Sequence, residues 1–220
     1  MEPSILFEDA ELIVVNKPAG MVVHPDGIHD YPALDAWLSG KYGEIFLVHR
    51  IDRETSGTVA VARSERAQNF LRAQFKEREV RKVYRSFVYG ALKEERGTIE
   101  RPIGSSRGGL GPRSARAPKG TMREATTTWR LIKNRQGQDS AAYIEVFPKT
   151  GRTHQIRVHL AAIGHPVVCD SLYAPGRPAM LGFKRLALHA LSLTLLHPSL
   201  GEMTFVAPLP PDFVAAEKLL

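Results

Sequence analysis

A chain of 220 residues with 43% hydrophobic and 24% charged residues is long enough to bury a substantial core and is composed like a globular protein, not a disordered one. Its 30 Lys and Arg exceed its 23 Asp and Glu, giving 30 − 23 = +7 with His neutral, a balance suited to a polyanionic partner. The one cysteine, Cys169, excludes an intramolecular disulfide and a cysteine-rich zinc site, and no apolar run reaches the roughly 20 residues of a membrane span, so a soluble cytoplasmic protein is expected.

In chain order, Ile5–Phe7 and Leu12–Val15 read as a strand pair that enters a turn at Lys17-Pro18-Ala19-Gly20. PALDAWLSGKYG predicts a helix with Leu34, Trp37 and Leu38 on one face and a stop at Gly40. After a polar stretch, GTVAVARS alternates as a strand. Ser64 suits the N-cap of a helix over SERAQNFLRAQFKERE, with Ala67, Phe70, Leu71 and Phe75 on its apolar face. KVYRSFVYGAL then alternates with period two and closes at Gly90, placing Tyr84, Ser86 and Val88 on one face.

Residues 101–123, RPIGSSRGGLGPRSARAPKGTMR, hold six basic residues, five glycines, three prolines and no acid. Such a composition predicts a long loop or extended arm. EATTTWRLI and SAAYIEVFP flank an NRQGQD turn as a hairpin. GRTHQIRVHLAAIGHP changes to helical spacing, with Thr153 as cap, Ile156, Leu160 and Ile163 along one face and Gly164 at the end. LALHALSLTLLHPSLGEMTFVAP closes the chain as two strands about HPSLGE. Many strands with about three helices in no strict alternation predict an α+β fold: a mixed, mainly antiparallel central sheet with flanking helices and loops. Residues 1–220 are expected to form a single catalytic domain, open to division into two lobes, and to be monomeric.

The chemistry concentrates at residues 49–57, HRIDRETSG, a charged stretch between two apolar runs. A carboxylate among arginines is favoured in its ionised form, and Asp52, with Arg50 and Arg53 beside it, suits a nucleophile or base. On spacing alone, Asp52 suits a turn cap or a partner for Arg50 in a solvated loop better than it suits a catalytic role.

Three ordered segments together decide more than any one of them. HRIDRETSG resembles the HR-Leu-D-xx-TSG signature of the RluA-type pseudouridine synthases, which convert uridine in RNA to its C-glycoside isomer. KVYRSFVYG resembles that family's second motif and KTGRTHQIRVHLAAIGHPVVCD its third; VNKPAGMVVHP and the closing segment are also similar, so the resemblance runs from about residue 5 to residue 208. Ile51 stands for the usual Leu, Ser86 for a common small residue and Cys169 for the frequent Gly before Asp170.

The resemblance implies the pseudouridine synthase catalytic fold, with Asp52 as the essential group that either attacks C1′ or draws a proton from C2′ to give a glycal, and later assists loss of the C5 proton. It implies that Tyr84 stacks on the target uracil, that Arg157 pairs with the catalytic aspartate, and that Arg50 fills the gap left by the everted uridine. Arg152, His154 and Gln155, at the start of the matched helix, are candidates for phosphate or sugar contacts, as are Arg107, Arg113 and Arg116 in the basic loop. The compact form resembles members acting on large-subunit ribosomal RNA, transfer RNA or both. With the first apolar strand beginning at Ile5, the separate N-terminal RNA-binding domain of some relatives is not expected. The eight histidines do not make a metal site: His154 and His159 are five apart, with no H-E-x-x-H. The chemistry requires neither metal nor organic cofactor. Two other functions fit the same residues: an RNA-binding module, and an N-glycoside hydrolase that admits water.

Overall fold

The computed structural model describes residues 2–25, 27, 29–105, 113–115 and 119–220. The elements begin with β1 (Ser4–Glu8), β2 (Leu12–Lys17), α1 (Leu34–Tyr42), β3 (Phe46–Leu47), β4 (Ser56–Ala62) and α2 (Glu65–Glu77). They continue with β5 (Arg81–Tyr89), β6 (Arg96–Glu100), β7 (Ile103–Ser105), β8 (Arg113–Ser114), β9 (Lys119–Arg123), β10 (Thr126–Arg135) and β11 (Ala141–Pro148). The last are α3 (Gln155–Ala162), β12 (Leu188–His197), β13 (Gly201–Val206) and α4 (Pro211–Glu217). The strands pair almost entirely antiparallel, so the fold is α+β as the sequence predicts. Two compact units divide the chain: Met1–Lys82 with His189–Pro208, and Val83–Leu188 with Leu209–Leu220.

In the first unit, the β1–β2 turn is closed by Asp9, whose Oδ1 accepts the N–H groups of Glu11 and Leu12 at 2.8 Å each. β2 pairs with β1 and β4, and Leu12–Val15 are fully buried, which explains why LIVV is an unbroken apolar run and not an alternating one. β4 also pairs with β3 and, in parallel, with β12, while β13 returns beside β12. The core joins Leu12, Val14, Ala60 and Ala62 to Ala67 and Leu71 of α2 and Leu193, Leu195 and Phe205 of the β12–β13 hairpin.

α2 starts as expected: Ser64 is extended and its Oγ accepts the Ala67 N–H at 3.2 Å. Its inward face differs from the sequence expectation. Phe70 is 41% exposed, and Gln74 is buried instead, donating Nε2–H to the Leu196 carbonyl (2.9 Å) and accepting the Leu196 N–H (2.8 Å). That amide satisfies an edge position of β12, a need that helical periodicity alone does not reveal. α1 likewise runs through Gly40 and ends at Gly43, whose φ of +74° makes it the true C-cap.

The second unit carries the antiparallel order β5-β11-β10-β6. The hairpin about NRQGQD forms, with its register shifted between Leu131 and Lys133 by a bulge. Its aromatic centre stacks Phe87 on Tyr143 at 4.3 Å, with Phe183 and Phe213 meeting Phe87 at 5.1 and 5.5 Å. Phe213 comes from α4, a helix absent from the sequence reading; Pro211 opens it and an Asp212–Arg185 ion pair of 2.8 Å holds it. α3 packs on β10 and β11 and is buried almost all round. Its N-cap is His154 in the left-handed conformation (φ +55°), not Thr153, and no side chain caps it. Within the basic stretch, expected as a long loop or extended arm, the described residues include a small antiparallel sheet of β7, β8 and β9, with Ile103 buried with Ala125 and Val158. Among the described residues, no helix is long and apolar enough to cross a membrane.

Candidate active site

The HRIDRETSG loop in the first unit is fixed from both ends. Asp52 is half-buried, and its carbonyl accepts the Thr55 N–H at 3.1 Å, so the carboxylate rides on a tight turn. On the outgoing side Ser56 Oγ lies 2.9 Å from Nδ1 of the buried His189, and Thr58 Oγ1 donates to the Ala190 carbonyl at 3.2 Å. Gly57 has φ +116°, and a Cβ there would sit 2.1 Å from the Ala190 carbonyl oxygen, so this glycine is the only residue type the parallel β4–β12 approach admits. On the incoming side His49 Nε2 accepts the Ala60 N–H at 2.9 Å and its ring stacks on Phe75 at 4.6 Å. Burial pushes the His49 pKa from 6.5 down to about 3, with the charge of Lys82 acting in the same direction. Lys82 is itself pushed down to about 8 by burial.

The strongest constraint on the loop is a residue the sequence reading left in a turn. Lys17 is fully buried, and its Nζ donates to the carbonyls of Pro18 (2.9 Å), Met21 (2.7 Å) and Arg53 (3.2 Å). The Gly20 N–H reaches the same Arg53 carbonyl at 2.8 Å. An ammonium cation is thus used to tie the NKPAG turn to the residue after Asp52. The sequence signal was a lysine closing a strand that begins with the apolar run LIVV. Of the flanking arginines, Arg53 packs over the Tyr31 ring at 4.2 Å and pairs with Glu54 at 3.2 Å, while Arg50 is exposed.

Tyr84 and Arg157 belong to the second unit. Tyr84 lies on β5 opposite Val146 and is half-buried at the margin of the aromatic core. Arg157 is 4% exposed; its Nε donates to Asp170 Oδ2 and its Nη2 to Asp170 Oδ1, both at 2.8 Å, and its guanidinium carbon lies 5.2 Å from the Tyr173 ring centre. Asp170, which the sequence reading passed over, is a buried carboxylate with a two-pronged hold on that arginine.

The remaining candidates separate. Gln155 is buried and its amide is saturated: Oε1 accepts from Thr150 Oγ1 (2.6 Å) and the Arg152 N–H (3.0 Å), and Nε2 donates to the Thr126 carbonyl and Thr127 Oγ1 at 3.0 Å each. All four of its hydrogen bonds are thus made within the fold. Arg152 is half-buried, with Nε donating to the Glu124 carbonyl at 3.1 Å. His154 Nδ1 lies 3.0 Å from Tyr173 Oη, which accepts the Arg113 N–H at 3.0 Å. Arg107 and Arg116 lie outside the described residues. Among the described residues, no three His, Cys, Asp or Glu side chains cluster as a metal site would require.

A family model described as RNA pseudouridylate synthase matches residues 11–162, taking in the Asp52 loop, β5 and α3. The chain is 41% identical to an RNA pseudouridine synthase of Synechocystis sp., covering 98% of this chain and 67% of that protein. It is 37% identical to the ribosomal large subunit pseudouridine synthase D of Zymomonas mobilis, over 98% of this chain and 72% of that one. The structure of human RNA pseudouridylate synthase domain containing 1 superposes with a TM-score of 0.79 at 28% identity, over 95% of this chain and 84% of that chain. The chain belongs to the RNA pseudouridine synthase family. It is accordingly an isomerase of RNA, with the fold of that family.

Proposed function

We propose that residues 1–220 act as one catalytic domain that isomerises a uridine in structured large-subunit ribosomal RNA or transfer RNA, with Asp52 as the catalytic carboxylate. The observation that carries this reading is the construction of the Asp52 turn. Lys17 clamps it before the strand, and Gly57, Ser56 and His189 lock it after, so the half-buried carboxylate needs little reorganisation to react. The N1–C1′ bond breaks, the uracil turns, a C5–C1′ bond forms, and the C5 proton leaves as N1 regains one. Asp52 serves either by attacking C1′ or by taking the C2′ proton. Tyr84 supplies an aromatic face for the everted base, and Arg157 the guanidinium that pairs with the catalytic carboxylate. Arg50 fills the vacated stack. Arg152, His154 and the arginines of the basic loop contact phosphate, while Gln155 holds the start of α3 in place. The Zymomonas relative, named for the ribosomal large subunit, supports the rRNA assignment. A monomer working in the cytoplasm fits the excess of basic residues and the single cysteine.

The test is to incubate ribosomal and transfer RNA with the protein and quantify pseudouridine and mass, wild type against Asp52→Asn. The expected result is isomer at unchanged RNA mass, and a loss of about 10³-fold or more in the variant. Free uracil would establish a hydrolase. Full activity of Asp52→Asn would remove Asp52 from the chemistry. RNA binding without turnover would establish a binding module.

A further inference from the structure

The cluster around Arg157 contains more than an arginine needs simply to be buried. Asp170 is 1% exposed and meets Arg157 through both carboxylate oxygens at 2.8 Å. Its Oδ1 also accepts the N–H groups of Leu172 and Tyr173 at 3.0 Å each, and its carbonyl accepts the Ala174 N–H at 2.9 Å. The carboxylate is therefore anchored to its own turn before it touches the arginine, and cannot swing with it. Two parallel N–H···O bonds fix the guanidinium plane as well as its position, which a point contact would not. Tyr173 lies against the guanidinium with its ring, and its Oη receives the Arg113 N–H of β8 and lies against His154. One turn, residues 170–174, thus holds the arginine and ties down the basic strand beside it.

We propose that Asp170 is the positioning residue of Arg157. It holds the Nε edge of the guanidinium so that the opposite edge presents its charge to the reacting centre in a single orientation, and Tyr173 extends the same fixed point to the RNA-contacting strand β8. This rests on Arg157 having the role given under Proposed function. A buried ion pair of this kind is commonly replaceable by apolar residues of similar volume at little cost to the fold, so what this pair adds is the fixed orientation of the guanidinium.

The experiment is a double-mutant cycle read by single-turnover isomerisation at saturating enzyme, each rate normalised to the fraction of protein that binds RNA. Asp170→Asn keeps the shape and the acceptor for the backbone N–H groups but loses the charged fork. It is expected to slow the normalised rate by about 10²-fold with little change in RNA affinity. In an Arg157→Lys background the same substitution is expected to cost less than about 3-fold, since residues acting as a unit are not additive. Tyr173→Phe, which keeps the ring and removes Oη, is expected to weaken RNA binding, and an RNA affinity equal to wild type removes β8 from the proposal. Should Asp170→Asn fold too poorly to assay, Asp170→Glu serves the same cycle, since it keeps the charge but misplaces the fork by a methylene. Multiplicative losses in the two backgrounds, or an Asp170→Asn rate equal to wild type, overturn the proposal and leave the role of Arg157 intact. If Arg157→Lys itself has no effect on the rate, the role assigned to Arg157 fails instead.

Discussion

Lys17 and Gly57 show how single residues fix the Asp52 turn. Replacing Lys17 by Met would leave the carbonyls of Pro18, Met21 and Arg53 without the donor they now share. At about 1–3 kcal/mol for a buried polar group deprived of its partner, Lys17→Met should lower stability by at least that amount and depress turnover more than RNA affinity, measurable by denaturant titration and single-turnover assay. Gly57→Ala is expected to be worse, because backbone cannot yield to a Cβ placed 2.1 Å from an oxygen; little folded protein should be recovered. His49 makes the fold sensitive to acid. With its pKa near 3 in the folded chain and near 6.5 in the unfolded one, the unfolded state takes up the proton first as pH falls. Stability is then full above about 6.5 and is lost progressively towards 3. Lys82 adds a rise over a different window: its burial penalty is complete below about 8 and fades towards 10.5. His49→Gln, which can still accept from the Ala60 N–H but does not titrate, should flatten the fall in Tm between about pH 6.5 and 4 while leaving the alkaline limb.

At the scale of elements, the ends of helices and the neighbours of strands decided what periodicity left open. The α2 start was legible because Ser64 precedes a charged, amphipathic run, and Ser64→Ala should cost about 1 kcal/mol by thermal melt. Its inward face was only partly legible. Gln74 reads as a solvent residue until β12 arrives beside it with Leu196 needing both a donor and an acceptor. α3 shows the same limit more strongly: Gln155 and His159 look polar in sequence, yet both are buried against β10, with His159 Nδ1 2.9 Å from Thr127 Oγ1 and Nε2 2.9 Å from the Arg101 carbonyl. Burial lowers the His159 pKa accordingly. The spacing of Ile156 and Leu160 shows one buried face of this helix, but a helix enclosed almost all round also buries Gln155, Arg157 and His159, which the apolar stripe does not mark.

For the whole molecule, composition and motif order carried the reading. An excess of seven basic charges predicts RNA binding that weakens steeply with salt, with log Kd rising linearly in log salt; Arg113→Gln should reduce that slope by about one contact without changing the rate at saturation. Glu145 shows where whole-chain charge is not available to RNA. It sits between Arg85 at 2.8 Å and Arg130 on the neighbouring strands, so two of the arginines serve a cross-strand row.

By itself the sequence determined the fold class, the strands of alternating or unbroken apolar residues, and the loop that carries Asp52, because local periodicity and motif order are properties of neighbouring residues. Only the tertiary structure decided which polar groups are buried together: Lys17 with the Arg53 carbonyl, Gln74 with Leu196, and Asp170 with Arg157. Each joins atoms that local pattern does not relate, and each exists because a polar group removed from water must find its partner wherever the packed chain brings one within 3 Å or so.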